Sequence, residues 1–230
     1  VDYQFRRVEE TAEEDTRMVT FSVNSEGFIK KSIGSSANEG IFNFTMPANG
    51  ILVGFDALGR VLRVFGEDIP YTEPGKPGVY LPGYWGVEEH NLLYLSKLDG
   101  TTKMLVYTDG NVSFLDTSEW LGKRNKTKVI QKGVHPAVGS SLLEVFEEAE
   151  LNDYLLVVNE DTKDLRLGVA RVDGIIRKSR TGRTKVFTGP KVELGYLGLI
   201  GNLNINTLVT NVNGFFGKVR GLNGERFLGD

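Results

Sequence analysis

One pattern recurs five times along this chain and leaves few folds open to it: a run of apolar and β-branched residues, a residue pair ending in glycine, then a second apolar run that often closes on Lys or Arg. The copies are MVTFSVNSEGFIKKS from Met18, ILVGFDALGRVLRVF from Ile51, MLVYTDGNVSFL from Met104, LRLGVARVDGIIRKS from Leu165 and NTLVTNVNGFFGKVR from Asn206. Their turn pairs are Glu26-Gly27, Leu58-Gly59, Asp109-Gly110, Asp173-Gly174 and Asn213-Gly214. Asp-Gly and Asn-Gly favour two-residue type I′ turns, in which both central residues take φ > 0 and the twist matches the flanking strands. Each copy is therefore predicted to be a β-hairpin.

The repeat extends beyond the hairpin. Another strand candidate and a polar turn stand ahead of three copies, in NLLYLSKLDGTTK, DYLLVVNEDTKD and LGLIGNLNIN. Polar or basic residues and a further short apolar run follow, as in KVI at Lys128 and KVF at Lys185. The unit reads as a β-meander of three to four strands. One such sheet is too small to be stable alone, so neighbours must pack face to face. Turn glycines 32, 51, 64 and 40 residues apart average the length of a propeller blade. The expected fold is all-β, a five-bladed propeller-like domain over residues 17–230 preceded by a charged arm or linker, residues 1–16. One segment departs from the β pattern. Ser141-Leu142-Leu143-Glu144 has the spacing of a capping box, and Leu142, Val145, Phe146 and Ala149 would share one face of a short connecting helix.

Charge bears on what such a domain binds. Lys and Arg number 27 against 30 Asp and Glu, a net charge of −3, which opposes a uniformly basic binder of polyanions. The distribution is uneven. Acids gather at Glu9, Glu10, Glu13, Glu14 and Asp15 and again at Glu144, Glu147, Glu148, Glu150 and Asp153, whereas residues 120–133 (WLGKRNKTKVIQKG) and 174–191 (GIIRKSRTGRTKVFTGPK) contain several cations and no acid. The chain has no cysteine, which excludes a disulfide framework, a thiolate metal site and cysteine catalysis, and fits a reducing compartment. No apolar stretch approaches a membrane span and no signal-peptide pattern opens the chain, so the expected location is cytoplasmic. A first residue of valine points to a segment of a longer protein.

The stretches ILVGFDALGRVLRVFGEDIPYTEPGKPGVYL (Ile51–Leu81) and ELNDYLLVVNEDTKDLRLGVARVDGIIRKS (Glu150–Ser179) resemble the recurrent blade of the C-terminal domain of type IIA topoisomerase A-type subunits, those of gyrase and topoisomerase IV. The order is an apolar strand, a turn of the x-Gly-Arg-Val kind, a strand ending in a basic residue, and an Ile-Pro loop leading to lysine and glycine. The resemblance covers nearly the whole chain. It implies a β-pinwheel whose outer rim binds and bends duplex DNA to present a segment for strand passage, with the DNA-cleaving tyrosine in a separate domain and the remaining topoisomerase subunits or domains as partners. The Gln-Arg-Arg-Gly-Gly box of the gyrase first blade is missing. SIGSSANEGI, from Ser32, stands in its place without an arginine, which favours a topoisomerase IV-like or divergent relative over strong wrapping.

Backbone binding of DNA needs cations on a rigid surface and carries no sequence information. The candidates are Lys123, Arg124, Lys126 and Lys128 after the third hairpin and Arg177, Lys178, Arg180, Arg183 and Lys185 after the fourth. Lys30, Lys31, Arg60, Arg63, Lys218 and Arg220 sit at strand ends of the other units and would extend the stripe. The alternative use of such a charge run is a solvated face. No catalytic residue, metal or cofactor is expected: His90 and His135 lack a ligand entourage, no nucleophile elbow or phosphate loop occurs, and no carboxylates are paired by sequence spacing. Trp85 and Trp120 read as core residues rather than stacking platforms. A protein-interaction platform, a phage structural or receptor-binding module and, last, a propeller hydrolase remain as other readings of the same fold.

Overall fold

The computed structural model describes residues 14–34, 40–88, 92–108, 110–122, 125–130, 141–152, 154–160, 165–179, 184–185 and 196–203. These residues form four antiparallel sheets, designated A to D in chain order. Sheet A holds β1 (Met18–Val23), β2 (Phe28–Ile33) and β3 (Phe42–Pro47); sheet B holds β4 (Ile51–Asp56), β5 (Val61–Phe65) and β7 (Leu92–Lys97). Sheet C holds β8 (Thr102–Tyr107), β9 (Asn111–Asp116) and β11 (Leu142–Glu147), and sheet D holds β12 (Tyr154–Glu160), β13 (Leu165–Arg171) and β15 (Tyr196–Leu203).

The remaining strands reach back. β6 (Val79–Tyr80) follows the sheet B hairpin yet pairs with β2 of sheet A; β10 (Val129–Ile130) follows the sheet C hairpin and pairs with β5 of sheet B. In the same way β14 (Thr184–Lys185) leaves sheet D and pairs with β9 of sheet C. Each unit thus closes the edge of the sheet before it. The short apolar runs KVI and KVF, expected as the last strand of their own unit, mark strands donated to the previous one. At the opposite edges β3 lies against β7, β7 against β11 and β11 against β15, so these strands line the inside of the array and the reach-back strands its outside.

Face-to-face stacking accounts for the sequence pattern. Val19, Phe21, Val23 and Ile29 of sheet A meet Leu52, Leu62 and Val64 of sheet B in one buried cluster. The other face of sheet B, through Ile51, Val53, Phe55 and Phe65, meets Leu105 and Tyr107 of sheet C. Met104, Val106 and Val112 then carry the opposite face of sheet C against Leu155, Val172 and Ile175. Side chains alternate between faces along a strand, so strands buried on both faces become continuous apolar runs such as ILVGF and MLVY. Sheet A differs. Its face turned away from sheet B carries the polar cross-strand rows Thr20–Ser32, Ser22–Lys30, Thr20–Thr45 and Ser22–Asn43, in which Thr20 and Ser22 are themselves buried.

Three sequence expectations change. Gly27, Gly59 and Gly110 do turn the first three hairpins, with φ of +90°, +80° and +85°, but no described non-glycine residue has positive φ. The first two turns, Glu26-Gly27 and Leu58-Gly59, are therefore not type I′. Gly27 N–H donates to Asn24 O and Gly59 N–H to Asp56 O, which is a type I turn ending on a left-handed glycine, the three-residue hairpin loop. The fourth hairpin is displaced. β12 pairs with β13 along its whole length, Glu160 opposite Leu165, so the chain reverses between those two residues, and Asp173-Gly174 lies inside helix α2 (Val172–Ser179). That shift places the fourth reversal 51 to 54 residues after Gly110, matching the 51 between Gly59 and Gly110. Finally, the predicted helix at 141–149 is β11, paired with β8 and bulged between Leu142 and Glu144. The fifth copy, from Asn206, and both histidines lie outside the described residues.

Candidate nucleic-acid interface

After the second strand of the hairpins of sheets B, C and D the chain makes a short helical element before it reaches back. These are 3-10 turns at Gly66–Asp68 and Ser118–Trp120 and the longer α2. Between that element and the reach-back strand lies a connecting loop, which runs along the outer edge of the preceding sheet. Residues 70–78 occupy this slot on sheet A and residues 121–122 and 125–128 on sheet B, while the stretch between α2 and β14, residues 180–183, lies outside the described residues. The two acid-free basic segments therefore supply β10 and β14, the strands that close corresponding edges of neighbouring sheets.

The sheet B loop is held by specific contacts. Lys126, 56% exposed, forms an ion pair of 2.7 Å with Glu67, and this partner pushes the ammonium pKa up. The Lys128 Nζ sits 4.2 Å from the centroid of the Tyr84 ring. Tyr84, in the short helix α1 (Leu81–Trp85), donates its hydroxyl to Asp68 Oδ2 at 2.8 Å and accepts the Phe65 N–H at 3.1 Å. Burial first, and the nearby carboxylate next, push its phenol up. Glu67, Asp68 and Tyr84 were invisible to sequence reasoning as parts of this surface, because they are about 60 and 40 residues from the lysines they meet and no spacing rule links them.

Other candidates fall elsewhere. Lys31 and Arg63 are each only 4% exposed and belong to the seams between sheets, not to the rim. Lys31 Nζ donates to Gly66 O and Ile69 O, both at 3.0 Å, and lies 4.7 Å from the Tyr71 ring centroid. Arg63 donates to Trp120 O, Asn125 O and Thr127 O. Both stand four residues after a turn glycine and point into the next unit, where backbone carbonyls in and beyond its 3-10 turn accept from them. Lys30, the neighbour of Lys31, is half-buried on the polar face of sheet A. Arg60 stays at the sheet B hairpin tip, where its Nε meets Asp56 Oδ2 at 2.6 Å.

Arg177 and Lys178 lie on α2 and Lys185 on β14. Lys123, Arg124, Arg180, Arg183, Lys218 and Arg220 are outside the described residues. Trp85 and Trp120 are core residues, as expected; Trp85 donates its indole N–H to Arg63 O at 3.0 Å. Among the described residues no group of three His, Cys, Asp or Glu is placed to hold a metal ion, and no helix is long and apolar enough to cross a membrane.

Three four-stranded sheets, each closed by a strand from the following unit, stacked with a fourth sheet of three described strands, define an all-β fold of the β-pinwheel kind. The solved structures it is similar to are such domains. The C-terminal domain of E. coli ParC superposes with a TM-score of 0.62 at 13% identity, covering 82% of this chain and 80% of that one. The C-terminal domain of DNA topoisomerase IV gives a TM-score of 0.63 at 11% identity, covering 84% of this chain and 63% of the other. No family model matches the sequence, and no curated protein matches it.

Proposed function

We propose that this chain is an accessory domain of a type IIA DNA topoisomerase that binds duplex DNA through phosphate contacts along its outer rim and bends it to present a segment for strand passage, the cleavage chemistry residing in another domain. The observation that supports this most is the shared edge: the two basic, acid-free segments supply β10 and β14, which close corresponding edges of adjacent sheets, with Lys126 and Lys128 just ahead of one and Lys185 on the other. The similarity to the ParC and topoisomerase IV C-terminal domains supports the same reading at the level of fold.

A rim of this kind holds phosphates by charge and height, not by base identity. With six to eight phosphates contacted, log affinity falls with log salt at a slope of roughly −5 to −7. Bending 20 to 30 base pairs costs on the order of 1 to 6 kcal/mol, which those contacts offset. The acidic remainder of the surface, with Glu144, Glu148 and Glu150 in the sheet C region, repels the duplex and keeps it on the rim.

Fluorescence anisotropy with labelled duplexes of two unrelated sequences, at two salt concentrations, tests this. Micromolar or tighter binding that is steeply salt-dependent and alike for both sequences is expected. The net charge of −3 favours a second reading, a protein-interaction or phage structural module, and an absence of salt-dependent binding decides for that one.

A further inference from the structure

The geometry points to Arg63 as a positioning residue for the rim: it touches no DNA itself but fixes the backbone of the loop that carries Lys126 and Lys128. This rests on the DNA-binding reading above and adds to it the residue that shapes the surface.

Arg63 is on β5 of sheet B, with its guanidinium facing sheet C. Nη1 donates to Trp120 O at 2.9 Å, Nη2 to Asn125 O at 2.8 Å and Nε to Thr127 O at 2.9 Å. One planar fork therefore ties together the beginning, middle and end of the loop. Its backbone N–H adds a fourth tie, to Lys128 O at 2.7 Å. With the carbonyls of Asn125 and Thr127 turned inward, the side chain of Lys126 between them stands out at 56% exposure.

The chemistry of the site is unusual for a buried cation. Its hydrogen-bond acceptors are carbonyl oxygens, and the ring of Phe65 lies 5.0 Å from the guanidinium carbon. Guanidinium stays charged in proteins and offers five donors in a fixed fork, so three carbonyls on a non-repetitive loop are brought to geometry that the loop lacks on its own. Burial of an arginine without using that fork would be costly.

Lys31 supplies the internal control. It occupies the same position, four residues after the turn glycine, in sheet A, yet it reaches only Gly66 O and Ile69 O at the 3-10 turn. The loop on its sheet carries Glu73 and the single cation Lys76. Where the rim loop is strongly basic the buried residue is an arginine whose side chain grips the loop; where it is not, the residue is a lysine whose side chain grips the turn and whose backbone alone meets the loop, at Thr72.

Because a lysine is accommodated at the equivalent site, Arg63→Lys is the first variant and Arg63→Gln the second, each checked for folding by circular dichroism. Two measurements follow on the whole chain. Hydrogen exchange is expected to speed up in peptides covering 121–130 and to stay unchanged in sheet A. Duplex affinity is expected to fall about three- to tenfold, with the salt slope shallower by about 1 to 2, since each phosphate that the loop no longer holds removes about one unit. On a Lys126→Ala, Lys128→Ala background the same Arg63 change is expected to alter affinity by less than about twofold, since sites acting through one another are non-additive. Unchanged exchange over 121–130 in a folded variant overturns the positioning role, whatever the DNA result. Equal losses in both backgrounds also overturn it. If the parent itself shows no salt-dependent duplex binding, the functional reading fails, while the exchange experiment still decides whether Arg63 shapes the loop.

Discussion

Cations serve differently in the seams between sheets and on the rim outside them. In the seams Lys31, Arg63 and Lys103 are buried, and every polar end meets a fixed partner: carbonyls for the first two, and for Lys103 both carboxylate oxygens of Glu147, at 2.6 and 2.7 Å, with Thr101 Oγ1 at 2.7 Å. On the rim Lys126 and Lys128 have single, water-accessible partners, Glu67 and the Tyr84 ring. An exposed ion pair of that kind contributes little to stability and yields readily to a phosphate, whereas a seam cation cannot leave without exposing orphaned groups. The same residue type therefore predicts opposite phenotypes according to its place.

The largest effect is expected from the seam. Lys103→Met leaves Glu147 charged beside Tyr94, which donates to it from sheet B at 2.8 Å, and removing one partner of a buried pair costs about 3 to 5 kcal/mol. Urea unfolding is expected to show that loss, with duplex affinity per folded molecule unchanged; a fall in affinity at equal folded fraction would erase the distinction between seam and rim. The rim comes next. Replacing Arg124, Lys126, Arg180 and Arg183 together by alanine is expected to weaken duplex binding at least tenfold and to flatten the salt slope by about 3 to 4, close to one unit for each cation removed from a phosphate, with unfolding shifted by no more than about 1 kcal/mol. Gly66 sharpens the seam side of the comparison. A Cβ there would collide with Ala48 O, Gly50 O and the Phe21 ring where sheets A and B meet. Gly66→Ala is expected to destabilise by about 1 to 3 kcal/mol, the range for overpacking a rigid site, again without a change in salt slope.

What the sequence disclosed follows the same division. Strands buried on both faces were readable as continuous apolar runs, and three turn glycines fell where expected, because both signals are local. The false helix at 141–149 has a local cause as well. The bulge between Leu142 and Glu144 moves the next buried side chain from two residues on to three, at Val145, and a period of three in a strand imitates a helix face. Asp173-Gly174 misled for the opposite reason: its turn chemistry is real, but the strand pairing that decides where the chain reverses lies ten residues upstream. The burial of Lys31 and Arg63 had no local signal. Their acceptors are 35 to 64 residues away, so a basic residue near a strand end read the same whether it entered a seam or faced solvent. The reach-back strands were seen as short apolar runs and credited to the wrong sheet, since two residues carry no address.

The rim itself is graded, and a smaller experiment measures the gradient. Lys76 is exposed on the sheet A loop, in the slot that Lys126 occupies on sheet B, but with Glu73 close in sequence and no second cation. Lys76→Ala is expected to change the salt slope by less than about 1, against about 1 for Lys126→Ala alone. Equal slopes for the two would mean that the duplex tracks the whole rim evenly and that the acid-free segments are not its centre.

The smallest effect concerns the chain just ahead of β1. Arg17 first, and Tyr71 second, by hydrogen bonding, hold the Asp15 carboxyl well below the usual carboxylate range; Tyr71 is the same ring that Lys31 approaches from the seam. A carboxylate whose folded pKa is depressed stabilises fully above its unfolded value of about 3.9 and loses that contribution as pH falls through the lower folded value. The difference in melting temperature between the parent and Asp15→Asn is therefore expected to be constant from pH 7 to about 5 and to shrink only below about 4. A difference that instead fades between pH 7 and 5 would place the controlling group elsewhere and detach this ion pair from the seam it borders.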